Sequence, residues 1–153
     1  MSKDFNSISV GIKNVEFGNN VTVIEPSNLY GCKIGNDVFI GPYVEIQVGV
    51  QIDDRTRVQS HTFICEGVSI GKDCFIGHGV MFVNDLLRSG PARGDKSKWG
   101  KTKIGNEVSI GSNVTVLPVS ICDGVVIGAG SVVTRNITEP GIYLGNPARR
   151  IEK

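Results

Sequence analysis

The chain has 153 residues, which is the size of one domain, and we expect residues 1–153 to fold as a single unit. Its 16 basic and 15 acidic side chains give a net charge of +1, which argues against nucleic-acid binding through bulk charge. The N-terminal segment Met-Ser-Lys-Asp-Phe contains no apolar run, so we expect no signal peptide and no membrane span. Four cysteines without CxxC spacing favour a reduced, cytoplasmic protein.

Residues 1–33 carry an irregular version of a short repeat, which predicts a capping coil with a bulge. Residues 34–82 carry the regular form, in which an aliphatic or aromatic residue returns every six positions without exception: Ile34, Ile40, Ile46, Ile52, Val58, Ile64, Ile70, Ile76, Phe82. A second series of small or β-branched residues lies two positions earlier: Val38, Val44, Val50, Thr56, Thr62, Val68, Cys74, Val80. Residues two apart on a strand face the same side, and glycine often follows at a corner. The period therefore predicts an all-β, parallel β-helix and excludes an α-helix.

Three strands would close one triangular coil of eighteen residues, so residues eighteen apart should stack about one strand spacing apart, roughly 4.8 Å. This spacing forms two outward columns: Phe39, Arg57 and Phe75, and Glu45, Phe63 and Met81. Rows of exposed aromatic side chains suggest a covered face, and we interpret them as a subunit interface.

The repeat breaks at Asn84. Residues 85–102 are polar and glycine-rich, and a loop this long in a compact domain is usually functional or disordered. The single tryptophan, Trp99, argues against plain disorder. The repeat resumes at Ile104 and slips by one residue at Pro118, and we expect the C-terminal tail, about residues 138–153, to leave the prism.

Two sets of motifs resemble known enzymes. Residues 127–134 (Ile-Gly-Ala-Gly-Ser-Val-Val-Thr), followed by residues 145–148 (Gly-Asn-Pro-Ala), resemble the coenzyme A end of the hexapeptide-repeat acyltransferases. Residues 61–66, 77–85 and 90–94 are similar to N-acetyltransferases that modify nucleotide-linked 3-amino-3,6-dideoxyhexoses.

The resemblance implies a left-handed β-helix, a hand that parallel crossovers otherwise avoid. It also implies a homotrimer with active sites in the clefts between subunits, acetyl-CoA as cosubstrate without a metal, and a nucleotide-linked amino sugar, most simply dTDP-linked, as acceptor. By analogy the reaction would belong to surface-glycan synthesis, such as that of lipopolysaccharide O-antigen.

The eighteen-residue spacing stacks Asn84 on Glu66, with Asp85 beside them at the start of the loop. Acetyl transfer to a neutral amine needs a group that orients the amine and accepts a proton, and these three side chains can do so. They are our candidate acceptor site, and the alternative is that these residues only form hydrogen bonds at a corner. His61 is a further candidate base, expected to stack between Tyr43 and Gly79. His78, stacked on Ser60, is the other histidine, and for either the alternative is a surface histidine.

The candidate cofactor-binding residues are Gly111, Ala129, Thr134, Arg135 and Arg149. Ala129 and Thr134 match family positions that line the cofactor. Arginines suit the phosphates of coenzyme A, as would Arg150 and Lys153, unless this tail charge is simply solvated.

Other functions remain open from the sequence. The acceptor could be a UDP-linked 3-amino-uronic acid, or a hydroxyl group with His61 as the base. The chain could also be a non-catalytic trimeric scaffold. Zinc-dependent carbonic anhydrases share the fold but need three histidine ligands, and this chain has two histidines.

Overall fold

The computed structural model describes residues 7–88, 90 and 94–152. Three residues of one family-like motif, Pro91, Ala92 and Arg93, lie outside the described residues, as does Lys153. The described chain winds into a parallel β-helix of short strands, with one 3-10 helix at Lys96–Lys98. The predicted all-β hexapeptide-repeat fold is confirmed, and the architecture is that of the left-handed β-helix class.

Successive strands visit three sheets in turn, so every third strand returns to the same sheet. The first sheet contains β1 (Ile12–Lys13), β4 (Asn28–Tyr30), β7 (Glu45–Ile46), β10 (Phe63–Ile64), β13 (Met81–Phe82), β16 (Thr115–Val116) and β19 (Val132–Val133). The second contains β2 (Glu16–Phe17), β5 (Lys33–Ile34), β8 (Gln51–Ile52), β11 (Val68–Ile70), β14 (Thr102–Ile104) and β17 (Ser120–Ile121). The third contains β3 (Thr22–Val23), β6 (Phe39–Ile40), β9 (Arg57–Val58), β12 (Phe75–Ile76), β15 (Ser109–Ile110), β18 (Val125–Ile127), β20 (Gly141–Leu144) and β21 (Arg149–Ile151).

The strand register follows the predicted spacing. Throughout the regular repeat, each strand residue pairs with the residue eighteen positions later, as Ile46 does with Ile64. The offset is seventeen in the N-terminal coil and again after Pro118, where Ile104 pairs with Ile121. Between them Val68 pairs with Thr102, so one coil contains the whole loop. Because Thr102 already lies in β14, we define the excursion as residues 85–100.

The core is the predicted inward series. The isoleucines and valines of both series are buried, and so is Cys74. Two threonines share this interior, and their hydroxyls donate to the carbonyl oxygens of the next corner: Thr56 Oγ1 to Gly71 at 2.8 Å and Thr62 Oγ1 to Gly77 at 2.9 Å. The hydrogen bonds satisfy hydroxyls that would otherwise be costly to bury.

Both predicted outward columns are present. On the third sheet Phe39, Arg57 and Phe75 are paired in register, with the Arg57 guanidinium 4.5 Å from the centre of the Phe39 ring. On the first sheet Phe63 pairs with Glu45 and Met81. Phe75 is 40% exposed and Met81 43% exposed in the single chain, whereas the second sheet points polar side chains outward.

The prediction that the C-terminal tail leaves the prism is wrong. Strand β20 pairs in parallel with β18 and therefore extends the third sheet by one strand. Strand β21 then folds back antiparallel on β20. The tail breaks the six-residue period, but its backbone still pairs with the β18 edge, which would otherwise be left unpaired.

Among the residues that the structure describes, no helix has the length and apolar character needed to cross a membrane.

Candidate active site

The sheets meet at three edges, and the predicted site residues lie on two of them. The excursion edge joins the first sheet to the second and, among the described residues, consists of residues 47–49, 65–67, 83–88, 90, 94–101 and 117–119. The histidine edge joins the third sheet to the first and consists of residues 41–43, 59–61, 77–79, 111–113 and 128–130.

The two ends of the excursion meet at a narrow neck. The Gly100 N–H donates to the Asn84 carbonyl oxygen at 2.7 Å. A side chain at Gly100 would collide with Pro118, because a Cβ there would lie 2.4 Å from the proline ring. The Asn84 amide Nδ2 donates to the Glu66 carbonyl oxygen at 3.1 Å, so these two residues stack as the eighteen-residue spacing predicts.

Glu66 is held from both neighbouring coils and from the excursion. Its backbone N–H donates to Gln47 Oε1 at 3.1 Å, on the coil opposite Asn84. Its carboxylate Oε2 lies 2.5 Å from Lys96 Nζ in the 3-10 helix of the excursion. Sequence reasoning missed Lys96, since the strand register does not extend into an excursion and thirty residues separate the pair.

A polar group lies on the first sheet beside Glu66. Gln47 Nε2 donates to Glu45 Oε1 at 3.1 Å. Burial, and next the charge of Glu45, raise the pKa of Tyr30 above its ordinary value, although a hydrogen bond from Gln47 opposes them. Tyr30 therefore stays a neutral phenol at physiological pH.

A cavity of about 440 Å³ lies at the base of the excursion. Its lining residues are Asn84, Asp85, Leu86, Arg88, Lys98, Gly100 and Pro118. Asp85 Oδ1 accepts the Leu87 N–H at 2.8 Å, which fixes the aspartate in a turn. Two of the three predicted acceptor residues thus line one cavity, while Glu66 is not among its lining residues and pairs through Oε2 with Lys96.

His61 lies on the other edge. Its ring stacks on that of Tyr43, with the centroids 4.9 Å apart and an interplanar angle of 28°. His78 Nδ1 lies 2.9 Å from Ser60 Oγ, as its predicted stacking requires. The single chain therefore does not bring His61 together with Asn84 and Asp85.

The predicted cofactor residues are divided in the same way. Gly111 and Ala129 stack on the histidine edge, and a Cβ at Gly111 would lie only 2.6 Å from the Ala129 nitrogen. The tail closes over this end through hydrogen bonds from Val132 N–H to the Gly145 oxygen (2.9 Å) and from Ala148 N–H to the Val132 oxygen (2.8 Å).

The three remaining candidates surround the last coils. Thr134 and Arg135 follow β19, where the chain turns towards the second sheet. Arg149 is exposed, and its guanidinium donates to the neighbouring Ala148 carbonyl at 3.0 Å. Arg150, in contrast, forms an ion pair with Glu139 at 2.7 Å. Of the two tail arginines, Arg149 therefore has the guanidinium better placed to meet an external phosphate.

Cys65 adjoins Glu66 but is not a nucleophile. Burial raises the pKa of its thiol to about 11, so it stays protonated at neutral pH, and the thiolate is the reactive form. Within the described ranges, no three His, Cys, Asp or Glu side chains come together in a way that could hold a metal ion.

Two protein-family models match the chain. The hexapeptide repeat of succinyl-transferase matches residues 65–81 and 101–135, and the bacterial transferase hexapeptide (six repeats) matches residues 31–66. Both describe the coils, and neither covers the excursion. The chain belongs to the hexapeptide-repeat family of bacterial transferases.

The curated relatives are larger proteins. The bifunctional protein GlmU of Streptococcus uberis is 30% identical over 152 residues, covering 93% of this chain and 32% of that protein. GlmU of Acetivibrio thermocellus is 32% identical over 124 residues, covering 80% of this chain and 24% of that protein. The chain thus spans a third or less of the length of these relatives.

Solved structures share the fold. One is an aspartate-to-alanine variant of AntD, an N-acyltransferase from Bacillus cereus, in complex with dTDP and coenzyme A; it has a TM-score of 0.79 and 24% identity, covering 91% of this chain and 83% of that one. Another is a hexapeptide-repeat acetyltransferase from Vibrio cholerae complexed with acetyl coenzyme A, with a TM-score of 0.67 and 22% identity, covering 80% and 70%.

Proposed function

We propose that the chain transfers the acetyl group of acetyl-CoA to the 3-amino group of a nucleotide-linked 3-amino-3,6-dideoxyhexose, with dTDP as the preferred nucleotide. The observation that carries this proposal is the cavity at the base of the excursion, whose lining includes Asn84 and Asp85. The dTDP and coenzyme A bound to AntD, which has the same fold, support the choice of substrates.

Asn84 is suited to orient an amine. Its Nδ2 is engaged with the Glu66 carbonyl, so its Oδ1 is left to accept an N–H of the sugar's amino group. Asp85 uses Oδ1 in its turn, which leaves Oδ2 as a second acceptor. Both contacts would direct the nitrogen lone pair at the thioester carbon and hold the reacting atoms close together.

The chemical step needs little acid–base help. The neutral amine attacks the thioester carbon, a C–N bond forms, and the C–S bond then breaks. The proton lost from the amine passes to the departing thiolate, directly or through Asp85, so the products are the N-acetyl sugar and coenzyme A thiol. Cys65 is protonated, which favours direct transfer over an acyl-cysteine intermediate.

Coenzyme A would bind at the C-terminal coils. Gly111 lets the next coil pack closely, the small and exposed Ala129 stacked on it would leave room for the pantetheine arm at the histidine edge, and Arg149 offers a guanidinium to a phosphate. Thr134 and Arg135 lie on a different side of the coil, so one cofactor reaches all five residues only in a cleft between two subunits. We therefore propose a homotrimer, formed through the faces that carry the outward aromatic columns.

Transfer to an amine is favoured over transfer to a hydroxyl. A hydroxyl acceptor needs a strong base, whereas a neutral amine does not. Within one subunit the candidate base, His61, is stacked on Tyr43 at the other edge from the excursion cavity, so transfer to a hydroxyl would require His61 from a neighbouring subunit of the proposed trimer. We assign the reaction to the cytoplasmic synthesis of surface glycans such as lipopolysaccharide O-antigen.

The test is an assay of thiol release from acetyl-CoA with a panel of sugars. The panel contains dTDP- and UDP-linked 3-amino sugars, a UDP-linked 3-amino-uronic acid and their hydroxyl analogues. It also contains dTDP-4-amino-4,6-dideoxyglucose, the ligand of another AntD structure. We expect the fastest release with a dTDP-linked 3-amino sugar. Release with hydroxyl sugars alone would favour O-acetylation, and no release with any sugar would favour a scaffold.

A further inference from the structure

Among the described residues, one polar side-chain contact joins the middle of the excursion to the β-helix. Within residues 85–88, 90 and 94–99, the hydrogen bonds and ion pairs are local, with the exception of Lys96 Nζ to Glu66 Oε2 at 2.5 Å. The neck at Gly100 fixes where the excursion begins and ends but does not fix the direction in which it leans.

The contact is made from a small ordered turn. Asp95 caps the 3-10 helix by accepting from the Ser97 N–H at 3.1 Å and from its hydroxyl at 2.6 Å, and it also pairs with Lys98 at 3.4 Å. Lys96 and Lys98 therefore belong to one unit. Lys96 faces Glu66, while Lys98 lines the cavity beside Asn84 and Asp85.

We infer that Lys96 is a positioning residue that holds the excursion against Glu66 and so places Lys98 and the cavity wall for the nucleotide sugar. Glu66 then acts as the anchor of the excursion and does not receive the amine itself. The inference rests on the proposed function for its kinetic consequence, because the wall matters only if the cavity binds the substrate. Its structural part stands independently of any activity.

The chain carries its own reporter for this contact. Trp99 is the single tryptophan, it follows Lys96 by three residues, and its ring centre lies 5.4 Å from Lys96 Nζ. The ring is half-buried, and its Nε1 is buried without a partner among the described residues. Release of the excursion from Glu66 should therefore expose Trp99 to a soluble quencher.

The structural test is acrylamide quenching of Trp99 in Glu66→Gln, which removes the anchor charge without altering the lysine near the ring. The side chains of Lys96 and Glu66 are 60% and 31% exposed, so their ion pair is partly solvated. Its removal should therefore change the ratio of attached to released excursion by at most about fivefold. The matched control is Glu16→Gln, which removes the Glu16–Lys33 pair (3.0 Å) on the second sheet.

We expect stronger quenching in Glu66→Gln, no change in Glu16→Gln, and recovery of shielding in the charge swap Glu66→Lys/Lys96→Glu. High salt should raise quenching in the unaltered protein, because an exposed ion pair is screened. Equal quenching in Glu66→Gln and the unaltered protein would overturn the inference.

The kinetic test is Lys96→Met, which should raise KM for the nucleotide sugar while leaving kcat less affected. A lowered KM would overturn the inference, since it would mean that Lys96 competes with the sugar's amine for Glu66. If quenching changes as expected but no sugar supports thiol release, the proposed function fails and the anchor stands. If thiol release is normal and quenching does not change, the anchor alone fails.

Discussion

The regular coils at residues 34–82 and the excursion that follows them are held together by different means. In the coils, each inward side chain is buried and successive strands are joined by backbone hydrogen bonds. The excursion depends on its neck and on the Lys96–Glu66 pair. The stability of the coils therefore comes from buried side chains and backbone hydrogen bonds that repeat along the chain, whereas the cavity depends on a few individual side chains.

This difference explains how one fold can serve many acceptors. The family models together match the coils from residue 31 to residue 81 and from residue 101 to residue 135, and neither covers residues 82–100. An excursion whose ends meet at Asn84 and Gly100 can vary in length and sequence without disturbing the strands below it.

The strongest contrast should lie in stability. Ile64 is fully buried in the core, so Ile64→Ala should lower the free energy of unfolding by about 2–5 kcal/mol. Leu87 is 54% exposed in the excursion, and Leu87→Ala should change it by less than about 0.5 kcal/mol. Denaturant unfolding of both variants measures the difference, and similar losses would show that the excursion is part of the core.

The coils should also respond to alkaline pH through Cys65. Its thiol has a pKa of about 11 in the folded chain against an ordinary value of 9.0. Below pH 9 both states hold the proton, but above it the unfolded chain loses the proton first. Stability should therefore fall between pH 9 and 11, by on the order of 3 kcal/mol for this thiol. Denaturant unfolding of Cys65→Ala across that range should show a shallower fall, and an unchanged slope would refute the assignment.

At the base of the excursion, we expect substitutions to change the rate of acetyl transfer. Asn84→Ala should lower kcat by about a hundredfold, because the amine loses its orienting oxygen. His61→Asn, at the other edge, should keep measurable turnover, with a rate that rises through the titration of the amine itself, near pH 8. Thiol-release kinetics decide between them. A dead His61→Asn together with a normal Asn84→Ala would make the histidine a true general base.

The smallest expected effect concerns the cofactor. Arg149→Ala should raise KM for acetyl-CoA by about tenfold with little change in kcat, as expected when a charge-assisted contact to a phosphate is lost from ground-state binding. Arg150→Ala is the matched control, because Arg150 is already paired with Glu139. If both variants give the same KM as the unaltered protein, the phosphate binds elsewhere.

The sequence predicts the coils well because each residue's environment repeats. The eighteen-residue spacing correctly stacks Asn84 on Glu66 and aligns Phe39 with Arg57. It also locates the slip at Pro118, after which the offset falls to seventeen. Such a pattern is a statement about backbone register, and it holds wherever the register continues.

Where the strand register ends, the repeat pattern no longer predicts which residues come into contact. The sequence predicts that the tail leaves the prism, yet β20 pairs with β18, because strand pairing through the backbone needs no side-chain period. The Lys96–Glu66 contact depends on the path of an irregular segment, so no spacing rule finds it. The division of His61 and Asn84 between two edges depends on which two sheets each corner joins, and the repeat period alone does not specify this.

The most direct test of the account is replacement of residues 85–101 with a single glycine. This change reduces the offset between Val68 and Thr102 from thirty-four residues to the eighteen of the neighbouring coils. A glycine suits the position, since its equivalents in the two preceding coils are Gly49 and Gly67, with φ of 77° and 93°. We predict an unfolding midpoint close to that of the unaltered protein and no thiol release with any amino sugar. Full activity in the shortened chain would contradict the central claim that the acceptor site lies at the base of the excursion.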